Sequence, residues 1–228
     1  MRTLSKYKVS ESRHWRPALL LAAAFFTACA SAQPPATSTY VYHCDGEDAA
    51  IVVTITGDRG HFFSRQASQP IQQEPGTQAY AGDDVYYLPD QPADLAPGQT
   101  AEITIAGHKF ANCKNNPRAA VWEAAKLRGV SYRAIGQEPP WVLEIDRDKG
   151  FLLVTDYGQN KTQFPYVEAV SDAQQKTGRY GSELNGERIE ITITGKFCRD
   201  SMSGEAFSSQ VEIDWRGQTL RGCGRALH

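Results

Sequence analysis

Cysteine placement constrains this 228-residue chain more than any other feature. Its five cysteines divide into one, two and two. Cys29 closes a short apolar run that starts at Leu19, Cys44 and Cys113 bracket one set of strand-like runs, and Cys198 and Cys223 bracket another near the C-terminus. The apolar run follows a basic start (Arg2, Lys6, Lys8, Arg13 and Arg16, opposed only by Glu11), which reads as a secretory signal. At roughly a dozen residues the run is too short to span a bilayer. Export places the other four cysteines where disulfides persist, so two bridges and no spare thiol are expected. The expected pairs are Cys44–Cys113 and Cys198–Cys223. Each brackets one strand-rich module, and a crossed pattern would tie two separately closing barrels together.

The end of the signal admits two readings. Phe26-Thr27-Ala28-Cys29 resembles the bacterial lipobox, which prefers Leu where Phe26 stands. Lipidation of Cys29 would then give an N-terminal lipid anchor. With Ala30 and not Asp after the cysteine, the resemblance to enterobacterial sorting implies an outer-membrane lipoprotein facing the periplasm. Ala30-Ser31-Ala32 before Gln33 offers ordinary signal peptidase a competing site, which would release a soluble periplasmic protein. Residues 1–29 thus read as a signal peptide with a lipobox. Residues 30–38, with Pro34-Pro35 among small polar residues, read as a flexible tether.

The mature chain has one helical signature. Asn116 as N-cap, Pro117 at the first helical position, an alanine-rich body and Gly129 beyond the end predict a short helix. Val121, Ala125 and Arg128 stack at helical spacing, as do Trp122, Ala125 and Lys126, so one face is expected to dock on a sheet. Elsewhere the period is two. Runs 50–56, 101–105, 188–194 and 210–215 alternate apolar and polar residues, and Gly57-Asp58, Ala106-Gly107-His108, Asn185-Gly186 and Arg216-Gly217 supply turns. The expected fold is all-β: two small antiparallel β-barrel or sandwich domains, 39–116 and 117–228, joined by one short helix.

Charge separates these halves. Residues 36–116 hold four Lys/Arg against ten Asp/Glu, whereas 117–228 hold fifteen of each. Nucleic-acid binding is disfavoured, since phosphate neutralisation needs a basic face. An acidic envelope domain would attract a basic protein partner.

Tyr42-His43-Cys44-Asp45-Gly46, an alternating strand, and a hairpin ending at Phe110-Ala111-Asn112-Cys113 resemble the family of membrane-bound inhibitors of C-type lysozyme. The resemblance covers about 39–114 and implies a small antiparallel barrel with its early and late cysteines joined. The family's distal W-x-K-G-x-x-A-x-L survives as Tyr87-Leu88-Pro89-Asp90-Gln91-Pro92-Ala93-Asp94-Leu95, and its S-G-x-x-Y as Gly76-Thr77-Gln78-Ala79-Tyr80. In the family the motif Ser and Lys donate to the catalytic carboxylates of lysozyme; here Gly76 and Pro89 occupy those positions without a side-chain donor. The resemblance nominates Gly76, Thr77, Tyr80, Tyr87, Pro89 and Asp90 as partner-binding positions. The segment 66–82, rich in Gln, Pro and Ser, reads as a long binding loop.

The C-terminal part resembles an uncharacterised domain of proteobacterial envelope lipoproteins. The matching blocks run from Leu127 to Trp141, from Cys198 to Phe207 and from Gly222 to Leu227. That resemblance names no activity. Glu138, Trp141, Asp200 and Ser201 are the candidate pocket residues there, against the plainer reading of a disulfide-stapled turn whose Asp and Ser cap local amides. His43, His61 and His108 show no metal-ligand spacing, and neither metal nor cofactor is expected. The chain has no G-x-S-x-G elbow, H-E-x-x-H helix or phosphate loop, so no catalysis is expected. The expected function is envelope protection by protein–protein contact through an inhibitor-like barrel. The alternative is a structural or small-ligand-binding lipoprotein without lysozyme inhibition.

Overall fold

A computed structural model describes residues 35–90 and 98–228. The expectations for the signal, for Cys29 and for motif residues 91–95 lie outside these residues. Residues Pro35–His228 form one compact unit that contains three hydrophobic clusters.

The first eight strands make a closed antiparallel barrel: β1 (Thr37–Asp45), β2 (Ile51–Thr56), β3 (Arg59–Phe63), β4 (Ser68–Gln73), β5 (Tyr80–Ala81), β6 (Val85–Pro89), β7 (Thr100–Ile105) and β8 (His108–Asn115). Each strand pairs with the next, and β8 returns to β1. The period-two pattern is the cause: Ile51 and Val53 face the core while Val52 and Thr54 turn away. Tyr42, Phe62, Tyr87 and Ile103 fill the interior without solvent exposure. Ala106 and Gly107 both take positive φ (48° and 79°), as the tight β7–β8 turn demands. The Cys44–Cys113 bridge joins β1 to β8 beside an irregularity in their register, stapling the seam where the barrel closes.

Segment 66–82 is not one long loop. It contains β4 and β5, and only 74–79 is a turn between them. The sequence of β4, Ser-Gln-Pro-Ile-Gln-Gln, buries Ile71 alone and has little intrinsic strand preference. Its pairing with β3, from Arg59↔Gln72 to Phe63↔Ser68, overrides that preference.

Helix α1 (Pro117–Leu127) begins with the expected cap, the Asn116 side chain accepting from the Ala119 amide at 3.1 Å. It buries Ala120, Trp122 and Ala125, whereas Val121 stays half exposed. The docking face is therefore the Trp122–Ala125 stripe and not the Val121–Ala125–Arg128 one. Ala124 and Leu127 line a shallow cleft together with Thr37, Thr39, Thr54 and Phe63 of the barrel wall. Trp122 instead packs on Phe207, with ring centroids 5.3 Å apart. One short helix thus touches both β structures.

The second is a nine-stranded antiparallel sheet. Its strands are β9 (Tyr132–Gln137), β10 (Pro140–Asp146), β11 (Gly150–Thr155), β12 (Asn160–Phe164), β13 (Val170–Asp172), β14 (Thr177–Leu184), β15 (Glu187–Thr194), β18 (Ser209–Trp215) and β19 (Gln218–Ala226). Their spatial order is β12-β11-β10-β9-β19-β18-β15-β14-β13. The sheet curls until Tyr180 on β14 meets Phe151 on β11 at 5.3 Å and the Ser182 hydroxyl donates to the Pro165 carbonyl at 2.7 Å. Trp141, Leu143, Phe151, Ile191, Ile213 and Trp215 are among the side chains filling the concave side. A small hairpin of β16 (Cys198–Arg199) and β17 (Ala206–Phe207) lies on the opposite, outer face, fixed to β19 by Cys198–Cys223. Both expected disulfide pairs are present.

Candidate functional site

At the barrel, strand direction brings the β4–β5 turn, the end of β6 and the β2–β3 turn to one end, because Tyr80 pairs with Tyr87 and the Gln73 amide donates to the Asp58 carbonyl at 2.8 Å. Gly76 stands exposed at the tip of its turn with φ +75° and open space around it. Thr77 is exposed beside it, its hydroxyl donating to the Glu74 carbonyl at 3.1 Å. Pro89 is half-buried and pairs with Ala101. Asp90 takes the Thr100 amide at 3.1 Å and the Thr100 hydroxyl at 2.7 Å, which closes the loop after β6.

Two of the nominated residues face inward. Tyr87 is fully buried and Tyr80 nearly so. The Tyr42 hydroxyl donates to the Gly98 carbonyl at 2.9 Å, which leaves Tyr87 to donate to the Tyr42 oxygen at 2.9 Å. Tyr80 donates to the Gly57 carbonyl at 3.1 Å. Burial pushes the phenols of Tyr42 and Tyr87 well above the usual tyrosine range, so both stay neutral donors. They stabilise the barrel end and are not contact residues. Their aromatic character marked a motif, but their alternation within β5 and β6 decides that they are core.

The second candidate is a groove on the outer face of the nine-stranded sheet, about 520 Å³ in volume, between the sheet and the stapled hairpin. Outward-facing residues of adjacent strands form its floor in cross-strand rows. Thr194 pairs with Gln210, Gln210 with Cys223 and Cys223 with Ile135. Thr192 pairs with Glu212 and Glu212 with Arg221, with Gln137 also on the floor. Arg199, Asp200 and Ser201 of the hairpin supply the wall. A second cleft of about 420 Å³ lies on the hairpin's other side, between Arg118, Trp122 and Met202.

Asp200 is the hairpin's anchor. Only 4% exposed, its carboxylate accepts from the Ser203 amide at 2.6 Å, the Ser203 hydroxyl at 2.7 Å, the Met202 amide at 3.2 Å and Gln137 Nε2 at 2.9 Å. Burial opposes ionisation, but these donors outweigh it and hold the carboxyl below its ordinary value. The stapled-turn reading therefore describes Asp200 correctly, with one addition: through Gln137 it ties the hairpin to the sheet. Ser201 lines the groove. Glu138 is exposed in the turn after β9, and Trp141 is 2% exposed on the concave side of the same sheet, so neither belongs to this site.

Behind the hairpin the charges are matched in a chain. Arg128 and Arg133 both bond Glu144, at 2.9 and 3.2 Å. Arg133 and Arg225 lie over the Trp122 ring at 4.7 and 4.3 Å, and Arg225 bonds Glu205 at 3.1 Å. Burial pulls the Arg133 guanidinium below its ordinary value against the raising effect of Glu144. The chain fixes α1, the hairpin and the sheet to one another.

Sequence reasoning missed Gln137, Thr192, Thr194, Gln210, Glu212 and Arg221. Each is the polar member of an alternating run, which is legible, but only register brings them onto one floor. Among the described residues no group of three or more His, Cys, Asp or Glu side chains could hold a metal ion, and no helix is long and apolar enough to cross a membrane. No protein-family model, curated protein or solved structure matches the chain.

Proposed function

We propose that this protein is a non-catalytic binding protein of the cell envelope, anchored through Cys29 and facing the periplasm. Its barrel contacts a basic protein partner, and C-type lysozyme is the partner that the resemblance names. One observation carries the reading: the two loops nominated by the resemblance lie at the same end of a closed, disulfide-stapled barrel. Asp58, Glu74 and Asp90 stand at that end as well. Their charge steers a cationic partner to the loops and makes association salt-dependent.

The strength of the contact follows from what Gly76 and Pro89 lack. A charged hydrogen bond contributes about 2–3 kcal/mol, so each missing donor weakens binding by roughly thirty- to 150-fold. The test is a titration of the folded chain against C-type lysozyme, read as both binding and residual lysozyme activity. Weak, salt-sensitive binding with little inhibition is expected, strengthened by Gly76→Ser with Pro89→Lys. Serine at position 76 must adopt φ near +75°, a left-handed conformation that costs roughly 1–2 kcal/mol, so the lysine is expected to supply most of the gain. Absence of binding by either version at low salt would reject this reading in favour of the structural or small-ligand-binding one.

A further inference from the structure

We infer that the groove under the stapled hairpin is a second, independent binding site, and that its ligand is a neutral saccharide. The charged side chains lining the groove balance, Arg199 and Arg221 against Asp200 and Glu212. Arg221 bonds Glu212 at 2.8 Å, Asp200 has four protein donors, and Arg199 donates to the Gly204 carbonyl at 2.6 Å while lying 5.7 Å from the Phe197 ring. A phosphate or carboxylate ligand is favoured by an excess of cations, and a cationic ligand by an excess of carboxylates. The lining has no net formal charge to favour either.

What it offers is uncharged hydrogen-bonding capacity around an apolar strip. Thr192, Thr194 and Ser201 bring hydroxyls to the groove. The amide of Gln210 has spare capacity, since its one bond, to the Phe197 carbonyl, is 3.5 Å long. Between these groups run Ile135, the glycine backbone at 136 and 222, and the Cys198–Cys223 bridge. A sugar ring presents the matching pattern, with hydroxyls around its edge and C–H groups on its faces. The volume of about 520 Å³ falls within the range of about 300–1,000 Å³ typical of small-molecule sites.

An extended peptide fits less well. Peptides recognised by strand addition pair with an exposed sheet edge, whereas this floor is the face of β15, β18, β19 and β9, interior strands whose neighbours occupy both sides. The hairpin is also fixed in place, by the bridge, by Gln137 to Asp200 and by Arg225 to Glu205, so the wall exists before a ligand arrives.

The test uses the folded, disulfide-intact chain on an array of neutral, N-acetylated and uronic-acid-containing oligosaccharides, with a neutral peptide library beside it and calorimetry on any binder. Binding confined to uncharged saccharides is expected. The pair Thr192→Val and Thr194→Val keeps strand-forming side chains while removing both hydroxyls, and is expected to weaken binding by about tenfold or more. Amide chemical-shift mapping on the unaltered protein gives a readout free of folding effects, with shifts expected on β15, β18 and β19. Binding only of acidic sugars, binding only of peptides, no saccharide binding at millimolar concentration, or shifts elsewhere would each overturn the inference.

Discussion

Replacing Gly136 with alanine should unseat Trp141, and the size of the penalty can be worked from the contacts. A Cβ at position 136 would lie 2.1 Å from Trp141 Nε1, 2.4 Å from Cε2 and 2.7 Å from the Arg221 carbonyl oxygen. The carbonyl belongs to β19, whose ladders to β9 and β18 hold it. The indole must therefore give way, in a core where it is 2% exposed. Overpacking of this kind costs about 1–3 kcal/mol, and outright loss of a buried tryptophan about 3–5. The smaller unfolded-state entropy of alanine returns about 0.4–1 kcal/mol, so a net loss near 3 kcal/mol is expected. Gly178→Ala is the control: the nearest atom to its new methyl would be 3.9 Å away, and its stability should hold or rise. Urea unfolding with the bridges intact, followed by near-ultraviolet circular dichroism, measures both. Repeating Gly136→Ala in a Trp141→Leu background should remove part of the cost, because the clashing ring is gone while the approach to the Arg221 carbonyl remains. A penalty under about 0.5 kcal/mol, or one that is equal in the two backgrounds, would refute the steric argument.

Two further outcomes are expected. Asp200 has a folded-state value below its unfolded one, so its contribution is present above the unfolded value near 4 and is lost as pH falls through the folded value. Asp146, held down chiefly by Lys149, behaves alike, so the informative quantity is the difference in melting temperature between wild type and Asp200→Asn across acid pH; a difference that does not shrink on acidification would exclude the hydrogen-bonded carboxylate. Cys29→Ser should abolish acyl labelling and membrane retention and accumulate precursor, whereas a soluble, unacylated wild type beginning at Gln33 would establish the ordinary cleavage route.

The fold was legible wherever local chemistry and tertiary demand agree. Runs such as Arg188–Thr194 become strands because their apolar members meet a core on one side only, and Asn185-Gly186 turns because both residues accept positive φ, 52° and 82°. Asn116 and Pro117 start the helix for the reasons their chemistry gives. Legibility failed at Ser68–Gln73, where closure of the barrel makes a strand from residues with no preference for one. It failed also at Tyr80 and Tyr87, whose motif spacing suggested contact residues while their place in the ladder makes them core. For the second site, sequence identified the hairpin through Asp200 and Ser201 but named Trp141 as their companion. The indole is near the groove in distance and on the wrong side of the sheet, a distinction that needs register and curl.

That near miss shows how the two faces of the sheet depend on each other. Gly136 and Gly222 sit side by side on β9 and β19, and both form the floor of the groove on the outer face while Trp141 lies across them on the concave face. A Cβ at Gly222 would approach the Trp141 ring to 2.7 Å and the Ile135 carbonyl to 2.1 Å, so the pair of glycines lets a large aromatic rest directly against backbone. The indole N–H has no partner there, and a buried donor left unpaired costs roughly 1–3 kcal/mol. Large apolar burial offsets that cost: full burial of a large apolar side chain contributes about 1.5–3 kcal/mol or more, and indole is larger than most. The arrangement persists because the ring covers two strands that carry no side chains of their own at this level. The floor of the groove is therefore a single backbone layer with Trp141 as its support, and the disulfide, Gln137 and Arg225 hold the hairpin above it. Core packing on one face and the shape of the groove on the other rest on the same two glycines.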